Sequence, residues 1–298
     1  DQCTELTNDQ IEDYKAQARF LRAYFYWMLI KQWGPVPLLP DEGLDINLSY
    51  EELSTPRNTY DECVDYIVAE FEEAAIHLEQ ERSTAYLGMA TKGAALAARA
   101  KVLLYAASPL YNGNHDLFEL KDEAGNPLIN QNYDERKWAR AAAAAEEVIN
   151  TGWYELYTVP VSEETVLPPA EVRSREFPYG CGGIDPYESY RQLFNGAIRD
   201  MKDNREFIFY RQFNNAGATG GEDLIDLVKH SYLHNSGWDG WNTNAVSLKQ
   251  VDAYYMFDGR DKDNASEGYP YHEDGFITAD DADSVYKFVN RASEEKYQ

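Results

Sequence analysis

The run from Ala16 to Leu39, AQARFLRAYFYWMLIKQWGPVPLL, constrains the fold more than any other part of this chain. It predicts an aromatic-rich amphipathic helix that stops at Gly34-Pro35 and passes into an extended proline segment. Ile11, Tyr14, Ala18, Leu21, Phe25, Met28 and Leu29 recur at three- and four-residue spacing, so the pattern places them on one buried face. Trp33, closing the helix, is expected in the core. Pro35 and Pro37 cannot continue a helix, and a residue before proline is pushed to extended geometry.

Three further helices follow. Thr59-Tyr-Asp-Glu62 is a capping-box pattern, in which hydroxyl and carboxylate satisfy the free N–H groups of the first turn. Val64, Ile67, Val68, Phe71, Ala74, Ala75 and Leu78 continue it as an apolar stripe, and Cys63 reads as a small buried residue. The helix from Thr91 is rich in alanine (Ala94, Ala95, Ala97, Ala98, Ala100), which lets helix axes approach closely. The last runs from about Asp134 through Trp138 to Ile149, with Gly152 as a left-handed cap. The spacing predicts helices over 7–33, 58–80, 91–107 and 134–150, packed as antiparallel pairs. Two such pairs with long inserted loops suggest irregular tetratricopeptide-like units.

Composition narrows the partners. The 298 residues carry 52 acidic and 27 basic side chains, a net charge of −25. Phosphate binding needs clustered Lys and Arg, so nucleic acid and anionic lipid are excluded as expected partners. The three cysteines, Cys3, Cys63 and Cys181, have no metal or redox spacing, and no apolar run reaches membrane-spanning length. Aromatics make up 14% of the chain, with 23 tyrosines, a composition that suits both packed helix pairs and a sugar-binding surface.

The opening motif resembles the signature of the RagB/SusD family, roughly Glu-Ala-Arg-Phe-Leu-Arg-Ala-Tyr-Tyr followed by an aromatic, a Gly and Val-Pro. Ala18 to Tyr24, Gly34 and Val36-Pro37 match it, and Gln17 stands where Glu is usual. Asn58-Thr-Tyr-Asp-Glu62 with Ile67, Glu70, Ala74, Ala75 and Leu78 resembles the next family helix. Thr91 to Tyr105 and Trp138-Ala-Arg-Ala-Ala with Val148-Ile149 resemble two more. Farther on, Asn204, Glu206 and Ile208, then Val251 to Gly259, fit family segments, while Val289-Asn-Arg291 fits only partly because Ala292-Ser-Glu follows.

The resemblance implies a mainly α, tetratricopeptide-like helix-pair scaffold over 1–155, with a loop-rich ligand-binding region over 156–298 packed on it. It also implies a surface-exposed outer-membrane lipoprotein that binds glycan and hands it to a SusC-like TonB-dependent transporter, without catalysis and without a cofactor. Family members extend beyond both ends, so the lipidated segment is expected outside this chain, and Cys3 lies too near the first helix to serve. A glycoside-active enzyme and a protein-binding helical adaptor are the alternatives. Paired carboxylates can be nominated anywhere among so many acids, and nucleophile elbows, phosphate loops and dinucleotide fingerprints are absent from the sequence.

Beyond Gly152 the texture turns loop-rich, with one strand-like run, Glu206-Phe-Ile-Phe-Tyr210. Within it, Trp238 and Trp241 sit among Asp239, Asn242, Gly237 and Gly240. Indole faces stack on pyranose C–H faces while Asp and Asn bind hydroxyls, so these four are candidate ligand residues; rings folded inward to pin the loop are the alternative. Tyr187 and Tyr190 after Asp185-Pro186 read as another aromatic loop, one ring packing and the other facing ligand. Tyr111-Asn-Gly-Asn-His115 looks like an exposed turn and reads best as a helix–loop transition. His230 and His234, four apart, lack a third ligand and read as a polar face. Asp261 to His272 lacks the Gly and bidentate Glu of a calcium loop, so the segment reads as a capping turn.

Overall fold

The computed structural model describes residues 4–165, 182–194, 204–210, 247–256, 259–267 and 271. The chain divides into two compact units, Asp1–Glu155 with Arg205–Gln212, and Leu156–Asn204 with Phe213–Gln298.

The first unit is built from four long helices: α1 (Asn8–Trp33), α3 (Tyr60–His77), α4 (Lys92–Ala107) and α5 (Arg136–Asn150), with a one-turn α2 (Tyr50–Leu53) in the proline-rich connection. The starts of α1 to α4 have local causes. Capping boxes pair Thr7 with Gln10, Ser49 with Glu52 and Thr59 with Glu62, and the Thr91 hydroxyl accepts from Ala94 N–H. The ends are as clear: α1 stops at Gly34, and Gly152, at φ 66°, takes the left-handed turn after α5. Consecutive long helices pack as antiparallel neighbours, so α1 and α4 run parallel on either side of α3. The fold is mainly α and tetratricopeptide-like.

The core lies between these helices. Phe20, Ile67, Phe71, Val102 and Cys63 are fully enclosed. The Cys63 thiol donates to the Val36 carbonyl, and burial pushes its pKa up. Alanines of α4 bring the axes close, and Gly93 leaves room for the Tyr154 hydroxyl, which stands where a β-carbon would be.

The family-like motif of α1 turns out to be a set of anchors. Gln17 holds both backbone groups of Ala90, donating to its carbonyl at 2.7 Å and accepting from its N–H at 2.9 Å. Arg22 reaches the buried Glu70 carboxylate of α3 at 2.6 Å, with Arg19 at 3.5 Å from the same group. Arg82, after α3, is enclosed; it pairs with Asp13 at 2.7 Å and donates twice to the Ala90 carbonyl.

The structure corrects the expected face of α1. Ala16, Phe20, Ala23, Trp27 and Ile30 are buried, whereas Tyr14, Leu21, Phe25 and Leu29 are exposed. At about 100° per residue the two stripes lie on opposite sides of the helix. Both satisfy helical spacing because apolar residues stand on opposite sides of α1. The partners of the buried stripe lie on the neighbouring helices, Phe71 of α3 against Phe20 and Tyr105 of α4 against Trp27, while Gln17 and Arg22 flank it to reach Ala90 and Glu70. Trp33 is likewise not core: it is 72% exposed, one residue before the chain turns away at Gly34.

Two loop expectations also change. Tyr111 and Asn112 are buried rather than exposed; Tyr111 stacks on Tyr60 with ring centroids 3.9 Å apart, and the Asn112 amide bridges the Ala107 and Asp134 backbones. Glu206–Tyr210 forms turns instead of a strand. Phe209 packs on α1, 5.3 Å from Phe20, and the preceding Arg205 donates to the Gly152 and Trp153 carbonyls.

In the second unit, β1 (Val159–Pro160) pairs antiparallel with β2 (Ile184–Asp185), and α6 (Pro186–Phe194) follows directly. A four-residue helix, Leu248–Val251, and a 3-10 turn, Lys262–Asn264, are the other described elements. The Asp261 carboxylate accepts from Asn264 N–H at 2.9 Å, the capping turn read from the sequence.

Candidate functional site

Tyr187 and Tyr190 lie on α6, not on a loop. Pro186 fits the first helical position because its missing N–H needs no partner there. Before it, the buried Asp185 accepts from Glu188 N–H at 2.9 Å and from the Thr165 hydroxyl at 2.6 Å. Those are helix-start signals that a loop reading passes over.

One side of α6 is fastened. Ser189, buried, donates to the Asp185 carbonyl at 2.5 Å and accepts from Val159 N–H at 2.8 Å. The Tyr157 hydroxyl donates to Gln192 Oε1 at 2.9 Å. Glu188 is held by Arg191 at 2.7 Å and by the Gln192 amide.

The other side is aromatic and open. Tyr187 is 70% exposed, Tyr190 55% and Phe194 66%. Neither tyrosine is buried in the core. Instead Tyr190 packs sideways: its ring meets Phe194 at 5.3 Å and Tyr254 at 6.4 Å, both edge-on. The Tyr190 and Tyr254 hydroxyls are 3.0 Å apart, and that hydrogen bond raises the Tyr190 pKa. Tyr255, beside Tyr254, is 72% exposed. Nearby, Tyr271 donates to Asp252 at 2.5 Å. The arrangement offers flat apolar faces with phenolic O–H groups at their rims, on a helix that is fixed from behind. It has acceptors and donors for hydroxyls.

Phe194 and Tyr254 were missed by sequence reasoning. Phe194 carried a signal, since it lies four residues after Tyr190 on the same helical face. Tyr254, 64 residues away, carried none. Trp238, Asp239, Trp241 and Asn242 lie outside the described residues, as do His230, His234 and Val289–Arg291.

In the first unit a groove of about 320 Å³ between α3, α4 and α5 is lined by Asp61, Asp65, Asp134, Arg136, Lys137 and Arg140. Its charges cancel in pairs: Lys137 with Asp61 at 2.6 Å, Arg140 with Asp65 at 2.9 Å and Arg136 with Asp134 at 2.8 Å. The first two pairs tie the parallel helices α3 and α5 together, the third is local to the start of α5, and together they leave none of these charges free for a ligand. Among the described residues there is no cluster of His, Cys, Asp and Glu that could hold a metal, and no helix long and apolar enough to cross a membrane.

Residues 1–104 match a SusD-like family model described as starch-binding and associating with the outer membrane. Solved structures share the fold. BT4246 is 24% identical with a TM-score of 0.64, over 88% of this chain and 44% of that one. A SusD-like protein of Bacteroides fragilis, BF3747, is 21% identical with a TM-score of 0.54, over 88% and 39%. A SusD-like carbohydrate binding protein of the same organism, BF0978, is 17% identical with a TM-score of 0.52, over 92% and 38%. The chain thus spans less than half the length of these relatives. No curated protein matches it.

Proposed function

We propose that this chain, a member of the SusD-like family, captures oligosaccharide at a bacterial cell surface. The observation that carries the reading is the open aromatic side of α6, where Tyr187, Tyr190 and Phe194 stand exposed beside Tyr254 on a rigidly held helix. Exposed aromatic clusters are costly in water and mark recognition surfaces. Pyranose C–H faces stack on such rings, and the phenolic hydroxyls bond sugar hydroxyls. Trp238 and Trp241, with Asp239 and Asn242, extend the binding residues in this reading.

Stacking plus a few hydrogen bonds that compete with water gives about −4 to −8 kcal/mol, millimolar to micromolar affinity. Weak capture suits a protein that passes its cargo to a SusC-like TonB-dependent transporter, with the helical scaffold as the docking side and a lipid anchor holding it at the outer membrane. Binding proceeds without turnover of the glycan.

Affinity electrophoresis against a panel of neutral polysaccharides tests the reading. Retardation by at least one polysaccharide, abolished by Tyr187→Ala with Tyr190→Ala, is expected. Mobility unchanged across the panel overturns it. Co-purification with an outer-membrane barrel after gentle extraction tests the partnership, and recovery of the protein alone counts against it.

A further inference from the structure

Two lysines of this acid-rich chain share one aromatic ring and no acid. Lys31, in the last turn of α1, places Nζ 3.9 Å from the Trp27 ring centroid, and Lys101 of α4 places its Nζ 5.6 Å from the same centroid. The parallel run of α1 and α4 sets this level, with Tyr105 of α4 edge-on to Trp27 at 6.1 Å.

Most cations of the helical scaffold are spent on acids. Arg22, Arg82, Arg99, Lys137 and Arg140 each have a carboxylate within hydrogen-bond reach. Lys31 and Lys101 have none among the described residues. Burial, then repulsion from Lys101, lowers the Lys31 pKa. Two ammonium groups held over one indole repel each other unless an anion enters between them. Trp27 itself is 4% exposed, and its indole N–H is buried without a partner. The neighbouring Tyr105 ring is 41% exposed, so a flat surface borders the cation pair.

We infer that Lys31 and Lys101, over Trp27, form a binding subsite for an oxyanion carried by a sugar, the carboxylate of a uronate or a sulfate ester. The ring of that sugar rests on Tyr105 while its charged group lies between the two ammonium groups. The choice of a sugar as carrier rests on the glycan-capture reading; the anion site does not.

The test is an NMR titration of the full chain at low ionic strength with glucuronate, glucose 6-sulfate, glucose and inorganic sulfate as probes. Side-chain signals of Lys31 and Lys101 and the Trp27 indole should move saturably with both acidic sugars and stay still with glucose. Lys31→Gln with Lys101→Gln should weaken glucuronate binding by about tenfold or more, and Lys31→Arg with Lys101→Arg should retain it. If the Gln variant melts early, the wild-type titration and the Arg variant decide. Acidic sugars that bind no better than glucose overturn the inference, and retardation by neutral polysaccharides through the α6 tyrosines would leave the capture reading standing. A response to inorganic sulfate alone overturns the sugar as carrier.

Discussion

Phe20 and Phe25 lie five residues apart on α1, and the structure assigns them opposite fates. Phe20 is 0% exposed and meets Phe71 and Phe209 at 5.3 Å each, whereas Phe25 is 61% exposed. Phe20→Ala removes a full ring from a packed interior and leaves a cavity, at a cost of about 3–5 kcal/mol. Phe25→Ala loses about 1 kcal/mol of partial burial and regains about 0.5 kcal/mol of helix propensity, so it should fall within about 1 kcal/mol of the parent. Thermal melts followed by helical circular dichroism convert these figures to a drop of roughly 6–20 °C for Phe20→Ala and at most a few degrees for Phe25→Ala. Equal losses at the two positions, or the larger loss at Phe25, would refute the assignment of the buried face.

Asp13→Ala strands the enclosed Arg82 guanidinium, which keeps only the Ala90 carbonyl and the exposed Glu79, so a loss of about 2–4 kcal/mol is expected in denaturant unfolding. Asp65→Ala breaks the exposed Arg140 pair and should cost under about 1 kcal/mol in the same assay. Gly93→Ala forces the Tyr154 ring from its seat beside α4, and a loss of about 1–3 kcal/mol is expected together with a shifted tyrosine signal. Asp134, hydrogen-bonded to Arg136, has its pKa lowered from 3.8 to about 2. A depressed acid stabilises the fold above its unfolded pKa, so this contribution is complete above pH 3.8 and is lost as pH falls through about 2. A carboxyl-carbon titration should show that low midpoint, and Asp134→Asn should remove it.

The helices were legible because their signals are local. Thr59 and Glu62 cap α3, Gly34-Pro35 ends α1 and Gly152 closes α5, and each works through neighbours within a few residues. The buried side of α1 was not legible from its apolar spacing, because two stripes compete and the choice rests on packing partners such as Phe71 and Tyr105, far along the chain. At the α6 site Tyr187 and Tyr190 could be named from the sequence, yet their setting was misread. Asp185-Pro186 serves turns and helix starts alike, and only its partners Thr165 and Glu188 decide. Tyr254 joins the platform through a hydroxyl contact that no local pattern encodes.

The central claim is that the aromatic side of α6 receives sugar, and the most direct measurement is an NMR titration of the full chain with an oligosaccharide chosen from the retained polysaccharides. The account predicts saturable shifts of the Tyr187, Tyr190, Phe194 and Tyr254 ring signals, with an affinity between about micromolar and millimolar. Saturable binding that leaves all four rings unmoved would contradict it.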